Sequence, residues 1–338
     1  MIRKMTLGFV IFLVICVAVY LHFHHSKKPL GTAYAGDRGL ILYNSSAQIR
    51  SPVGTVSYGE PLQIQARYGD HVQVRTSSGL VGWADDDDLI SGDLWQQEKD
   101  LNAKTATDTP EIKGRTAVLS NLHIEPGRDE PRVRQLKKGV AVELFEREAV
   151  AWPQGNLNTP GPQSDTGDGP PAANGPKKED WWLVRAELSD KTIVSGWVLG
   201  RFIDLDVPEP LPDYAGSSNM RIVAWFPLNP AKDANGREVP QYLLVGTSGP
   251  EGQACDFTIM RIFTWSKKRL QYETAFIDGN VCGKLPIHIE RLPVAQVVTM
   301  TFEDPSDGST QTYRMHETIV RHLKPAEDGK KIAARGAR

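Results

Sequence analysis

The sequence predicts a mainly β protein: an N-terminal transmembrane helix, two small β-barrels, and a C-terminal antiparallel β-sandwich or barrel-like domain. Three observations carry this. Short runs that alternate apolar and polar residues, such as Leu62-Gln63-Ile64-Gln65, recur between turn signals rich in Gly and Pro. One stretch of such runs is used twice. A single uncharged apolar run, Met5 to Leu21, precedes everything else. A chain of 338 residues suggests two or three domains. Its 39 basic and 41 acidic residues leave a net charge of −2. No basic stripe with interleaved aromatics is present, which argues against nucleic acid as a partner.

The run from Met5 to Leu21 has 17 residues, and at roughly 1.5 Å per residue it spans about 26 Å, close to a bilayer core. Arg3 and Lys4 precede it; His22, His24, His25, Lys27 and Lys28 follow. Residues 1–28 therefore read as a membrane anchor touching the bilayer through residues 6–23. The expected location is a single-pass membrane protein with its body in the periplasm or outside the cell. A cleaved signal peptide ending at Ala33-Tyr34-Ala35 is the main rival, but that site lies too far beyond Leu21. Lipidation of Cys16 is disfavoured because Ile15 stands where a small residue is wanted. The histidines read as a solvated membrane edge rather than a metal site.

The repeated stretch comes next. In the first copy, Val72-Gln73-Val74-Arg75 turns into Val81-Gly82-Trp83-Ala84 and closes at Leu89-Ile90. In the second, Trp182-Leu183-Val184-Arg185 turns into Ser195-Gly196-Trp197-Val198 and closes at Phe202-Ile203. Upstream, Lys138-Gly139-Val140-Ala141-Val142-Glu143-Leu144 matches Tyr58-Gly59-Glu60-Pro61-Leu62-Gln63-Ile64. The offset grows from 80 residues at Gly59/Gly139 to 110 at Val72/Trp182, which places an insert at residues 150–179. That insert is rich in Pro, Gly, Asn and Asp and is expected to be disordered; no Gly-Lys-Ser/Thr follows to make it a phosphate loop. Strands this short must close on themselves to bury one face, so each copy is expected to form a small barrel. The first spans residues 36–91 and the second residues 114–206. The linker 92–113 is expected to hold a short helix from Asp93 to Ala103, capped by Asp93.

This pattern resembles bacterial SH3-like (SH3b) domains, through the Gly59 and Gly139 strands, Gly82-Trp83, Gly196-Trp197 and the closing apolar pairs. The resemblance covers about 145 residues and departs at Ala84 and at the run Asp85 to Asp88. It implies an extracytoplasmic, non-enzymatic module that binds cell-wall peptide or sits beside a wall-active enzyme. Aromatic groove walls suit an extended peptide, and Tyr43, Tyr58, Tyr68 and Trp181 are the candidates. Trp83 and Trp197, with Gly82 and Gly196, read as barrel core. By strand alternation Trp182 should face in and Trp181 out. The aspartate run fits no calcium loop and reads as a solvated turn, so neither a metal nor a cofactor is expected.

Residues 207–218 form a proline-rich connector, residues 219–324 a β-rich domain of unassigned family, and residues 325–338 a flexible tail. Strand signals fall at Met220–Phe226, Tyr242–Thr247, Phe257–Trp265, Leu270–Ile277, Ile287–Leu292, Val297–Phe302 and Gln311–His316. Cys255 and Cys282 flank the strongest hairpin and are expected to form a disulfide. The alternative makes one of them the nucleophile of a Cys/His wall hydrolase, with His288, His316 or His322 as base; neither cysteine opens a helix, as such a nucleophile does. The expected function is a non-enzymatic, membrane-anchored cell-envelope protein binding peptidoglycan peptide or an envelope protein. A C-terminal hydrolase and a structural spacer are the alternatives.

Overall fold

A computed structural model describes residues 29–36, 39–152, 177–189, 191–209, 211–217 and 219–323. They fall into two compact units, divided between Gln97 and Glu98. The mainly β class holds.

The first unit contains β1 (Gly31–Ala35), β2 (Leu40–Tyr43), β3 (Pro52–Val56), β4 (Pro61–Tyr68), β5 (His71–Arg75), β6 (Val81–Asp85) and β7 (Leu89–Ser91). They form one antiparallel sheet in the order β3-β2-β6-β5-β4-β1-β7. A 3-10 turn at Asp86–Asp88 links β6 to β7. The inward positions of the alternating strands, among them Leu42, Leu62, Ile64, Val72, Val74 and Ala84, build its core. Each large apolar side chain so buried contributes about 1.5–3 kcal/mol. The strand β1 lies ahead of the boundary expected at residue 36. It holds Ala33-Tyr34-Ala35 between β4 and β7.

Helix α1 (Gly92–Thr107) follows. It starts one residue before the expected Asp93 and is capped differently: the Leu94 N–H donates to Ser91 Oγ at 3.3 Å.

The second unit repeats the pattern with β8 (Ile112–Thr116), β9 (Ser120–His123), β10 (Arg132–Leu136), β11 (Ala141–Ala151), β12 (Lys178–Glu187), β13 (Ile193–Leu199) and β14 (Ile203–Leu205). Its order, β10-β9-β13-β12-β11-β8-β14, is the first order advanced by seven strands. A 3-10 turn at Gly200–Phe202 again precedes the last strand. Even the irregularity repeats: the ladder shifts between Ile64 and Ala66 in one copy and between Leu144 and Glu146 in the other.

Beyond α2 (Leu211–Gly216), β15 (Arg221–Pro227), β16 (Ala231–Lys232), β17 (Glu238–Val239), β18 (Tyr242–Thr247), β19 (Ile259–Ser266) and β20 (Gln271–Asp278) follow. Of these, β15-β18-β19-β20 form a four-stranded sheet. A second is formed in order by β21 (Lys284–Leu292), β22 (Val297–Asp304), β23 (Ser309–His316) and β24 (Ile319–Leu323). Leu243, Val245 and Met260 from one sheet share a core with Val298, Met300 and Phe302 from the other, so the pair is a sandwich. The same core runs on into Leu122, Leu144, Val184 and Val198 of the second seven-stranded sheet.

The expected transmembrane helix requires correction. No described helix is long and apolar enough to cross a membrane. Helix α1 has 16 residues and carries Asp93, Glu98, Lys99, Asp100 and Lys104; α2 has only 6 residues. Single-pass membrane placement is therefore not supported, and the expected membrane contact through residues 6–23 lies outside the described residues. Residues 1–28, which prompted that expectation, lie outside the described residues, as do most of the insert (153–176) and the tail (325–338).

Candidate functional site

The second unit contains a cleft of about 1320 Å³ between its seven-stranded sheet and the sandwich. Ile112 and Phe145 come from the seven-stranded side, Trp225 to Pro227 from the end of β15, and Lys284 to Ile289 from β21. Consecutive residues of β21 all reach the cleft because it is the edge strand of its sheet. The Trp225 Nε1–H donates to the Asp206 carbonyl at 2.7 Å, which fixes that wall.

Two carboxylates take the place of a neighbouring strand along β21. The Leu285 N–H donates to Asp256 Oδ2 at 2.8 Å, and the Ile287 N–H donates to the Glu111 carboxylate. Glu111 is itself held where β8 begins, its N–H donating to the Leu144 carbonyl at 2.8 Å. Burial raises the Glu111 pKa to about 7; the Ile287 N–H opposes the rise and the Asp256 charge adds to it. Burial also raises the Asp256 pKa, against the Leu285 N–H and Arg147.

Behind the cleft lies a buried ion network. Arg147 donates to Asp256 Oδ1 and to Asp180 Oδ1, both at 2.6 Å. Asp180 also accepts from the Gly252 N–H at 2.7 Å and from Arg221 at 3.2 Å. The preceding Glu179 accepts from Arg128 at 2.7 and 2.9 Å, and from Arg201. Burial works to raise the Glu179 pKa, but the two guanidiniums prevail and hold it below the ordinary carboxylate range. Cys255 and Cys282 form a disulfide beside Asp256, and Asp256 and Phe257 both donate backbone N–H groups to the Gly283 carbonyl. The loop that carries Asp256 is therefore pinned covalently and through its backbone.

This disulfide removes the thiol that the Cys/His arrangement requires. Of the three histidines considered with it, His288 lines the cleft. His316 lies on β23, and His322 stacks on Tyr313 with ring centroids 4.4 Å apart. Among the described residues, no group of three or more His, Cys, Asp or Glu is placed to hold a metal.

The aromatic candidates do not converge. Tyr43 is half-buried beneath Arg50, whose guanidinium carbon sits 4.1 Å from the ring centroid. Tyr58 meets Trp95 edge-on at 5.4 Å. Tyr68 is 71% exposed at the end of β4. Trp181 is only 2% exposed, which corrects its expected outward placement. It does face away from Trp182, but into a second apolar cluster with Phe145, Leu183, Trp197 and Leu199. It also lines a small hollow with His123, whose ring meets it edge-on at 5.2 Å.

Trp197 is buried, as expected of a core residue, but Trp83 is only half-buried, which corrects its expected core placement. Neither belongs to the inner core of its sheet. Strand alternation puts Ala84 and Val198 inside and the tryptophans outside; Trp83 is half-buried, and Trp197 lies in the second cluster. The glycine before each explains the motif better. A Cβ at Gly82 would meet Leu42 Cβ at 2.7 Å, and one at Gly196 would meet Leu122. Only glycine lets β6 and β13 lie this close to the neighbouring leucine.

Glu111, Arg147 and Asp256 were not visible as site residues in the sequence. One faint signal exists: Glu179-Asp180 runs directly into Trp181-Trp182 within a strand, placing charges where the chain is about to be buried.

No protein-family model matches the chain, and no curated protein matches it. One solved structure, titled "Structure of NlpC2 from Trichomonas vaginalis", aligns at 10% identity over 88% of this chain and 97% of that one. Its TM-score is 0.17, too low to support an argument about fold or activity.

Proposed function

We propose that the protein is a binding module, and that the cleft of its second unit receives an extended peptide segment. The cleft itself carries the reading. At about 1320 Å³ it exceeds the ~300–1,000 Å³ usual for small-molecule sites and suits a run of several residues. Its wall mixes Trp225, Phe226, Phe302 and Ile287 with Lys284, Glu111 and Arg291, a combination that grips side chains rather than one compact metabolite. Because the outward N–H groups of Leu285 and Ile287 are already taken by carboxylates, recognition runs through side chains, not through strand addition at that edge. The resemblance of the two repeats to SH3b modules supports the same reading, and makes cell-wall peptide or a segment of a partner protein the two candidate sources.

Hydrogen exchange on the full chain tests this. Soluble peptidoglycan stem peptides and a mixture of protein-derived peptides are added in separate experiments. Slower exchange over Lys284–Leu292 and Arg221–Pro227 is expected with one of the two, and identifies the source. Unchanged exchange there with both would overturn the reading.

A further inference from the structure

We propose that Glu111 is the point in this cleft that recognises a primary ammonium on an aliphatic stem, as in a lysine-like side chain of a bound peptide. The inference rests on the peptide-binding reading and specifies its chemistry.

Glu111 is an acid without a cation among the described residues. The nearby bases that line the cleft are engaged elsewhere. Lys104 pairs with Glu146 at 2.6 Å and Lys113 with Glu143 at 3.3 Å. Arg147 is shared between Asp180 and Asp256. Arg291 donates to the Pro227 carbonyl, and the charge of Lys284 acts on Asp256, whose carboxylate it favours. Among the described residues, the donor that holds the Glu111 carboxylate is the Ile287 N–H.

That hydrogen bond orients the carboxylate and leaves most of its acceptor capacity unused. Glu111 is also half-buried, so its carboxylate is partly desolvated. A desolvated carboxylate with spare lone pairs gains more from an arriving ammonium than a solvated one does. The surroundings fit the rest of such a side chain. Ile112, Leu285, Ile287 and Phe302 line the cleft and belong to, or continue, the apolar core. They offer a wall for methylenes leading to a charged tip. Asp256 adds negative potential from behind, while Arg147 neutralises it only in part, being divided between two acids.

The test uses the full chain and two pools of capped pentapeptides. Both pools have randomised flanking positions; the central residue is fixed as lysine in one and as norleucine in the other, its uncharged near-isostere. Retention is read at pH 8 for the wild type and for Glu111→Gln. The wild type is expected to retain the lysine pool about tenfold more strongly. Glu111→Gln is expected to retain both pools equally, at the wild type's norleucine level, which also shows that the variant is folded. Equal retention by the wild type, or a lysine preference that survives in Glu111→Gln, overturns the ammonium assignment while leaving peptide binding intact. If the wild type retains neither pool, both readings fall.

Discussion

The two seven-stranded sheets have the same strand order, the same 3-10 turn and the same bulge, yet their outer faces are opposites. In the second sheet, Phe145, Trp181, Leu183, Trp197 and Leu199 form an apolar cluster on that face. The matching positions in the first are Gln65, His71, Gln73, Trp83 and Asp85, as the paired ladders show. Leu101 of α1 packs on the apolar version, and Thr105 Oγ1 lies 2.7 Å from Ser195 Oγ. The polar version is half-open. One backbone plan thus serves two packing roles: a sheet with a single core face, and a sheet buried on both sides. The tryptophan of the Gly-Trp motif sits on that face in both copies.

Substituting the two tryptophans should give the largest separation between the copies. Trp197→Ala removes a ring that is 6% exposed and should cost about 3–5 kcal/mol. Trp83→Ala removes one that solvent already reaches and should cost about 1 kcal/mol. Urea denaturation of the full chain, followed by circular dichroism, measures both. Equal losses would mean that the outer faces do not differ in the way described.

The charged groups invite the same comparison at a slightly smaller scale. In the second unit, Arg147 is buried with Asp180 and Asp256, at side-chain exposures of 4%, 2% and 5%. Arg147→Ala leaves Asp256 buried without this partner and Asp180 with Arg221 at 3.2 Å, and should cost about 3 kcal/mol or more. In the first unit, Arg50 grips Asp85 at 3.0 and 3.1 Å, but Asp85 is 41% exposed. Arg50→Ala should therefore cost at most about 1 kcal/mol. Thermal melts at low and high salt check this. Only the Arg50–Asp85 pair should weaken appreciably with salt.

The sequence made the repeat legible because strand alternation, turn glycines and Gly-Trp act locally. The bounds of β18, Tyr242 and Thr247, follow from the sequence for the same reason. The disulfide was legible too, since a strong hairpin brings its flanks together. What could not be read was anything that depends on a distant element. Trp181 looked outward because alternation alone does not show that α1 and neighbouring strands cover the other face. A large aromatic in a small barrel suggests burial, which holds for Trp197 but not for Trp83, whose neighbours on that face are polar. Glu111 sits in an unremarkable Thr-Pro-Glu linker. Its importance arises only because β21, more than 170 residues later, places the Ile287 N–H against it. The cleft is a product of long-range assembly, and no local pattern encodes it.

The smallest expected effect is also the one with opposite signs in the two units. In the first, the Arg50 hydrogen bond holds the Asp85 carboxyl below its ordinary range. Its folded form binds fewer protons than the unfolded chain, so its contribution is present above the ordinary value of 3.8 and is lost as pH falls through the folded value. In the second, burial lifts Glu111 from 4.5 to about 7. There the folded form binds more protons between those values, so stability falls as pH rises through that window and stays reduced above it. Glu111→Gln mimics the neutral acid and removes the loss. The variant should match the wild type near pH 4 and exceed it by about 1 kcal/mol at pH 8, a value already reduced for the solvent that reaches this group. Asp85→Asn should do the reverse, costing a few tenths of a kcal/mol at pH 7 and nothing once the wild-type carboxyl is protonated. Urea midpoints of all three proteins across pH 3 to 8 decide the matter. A Glu111→Gln curve parallel to the wild type would show that this carboxyl titrates normally in the folded protein.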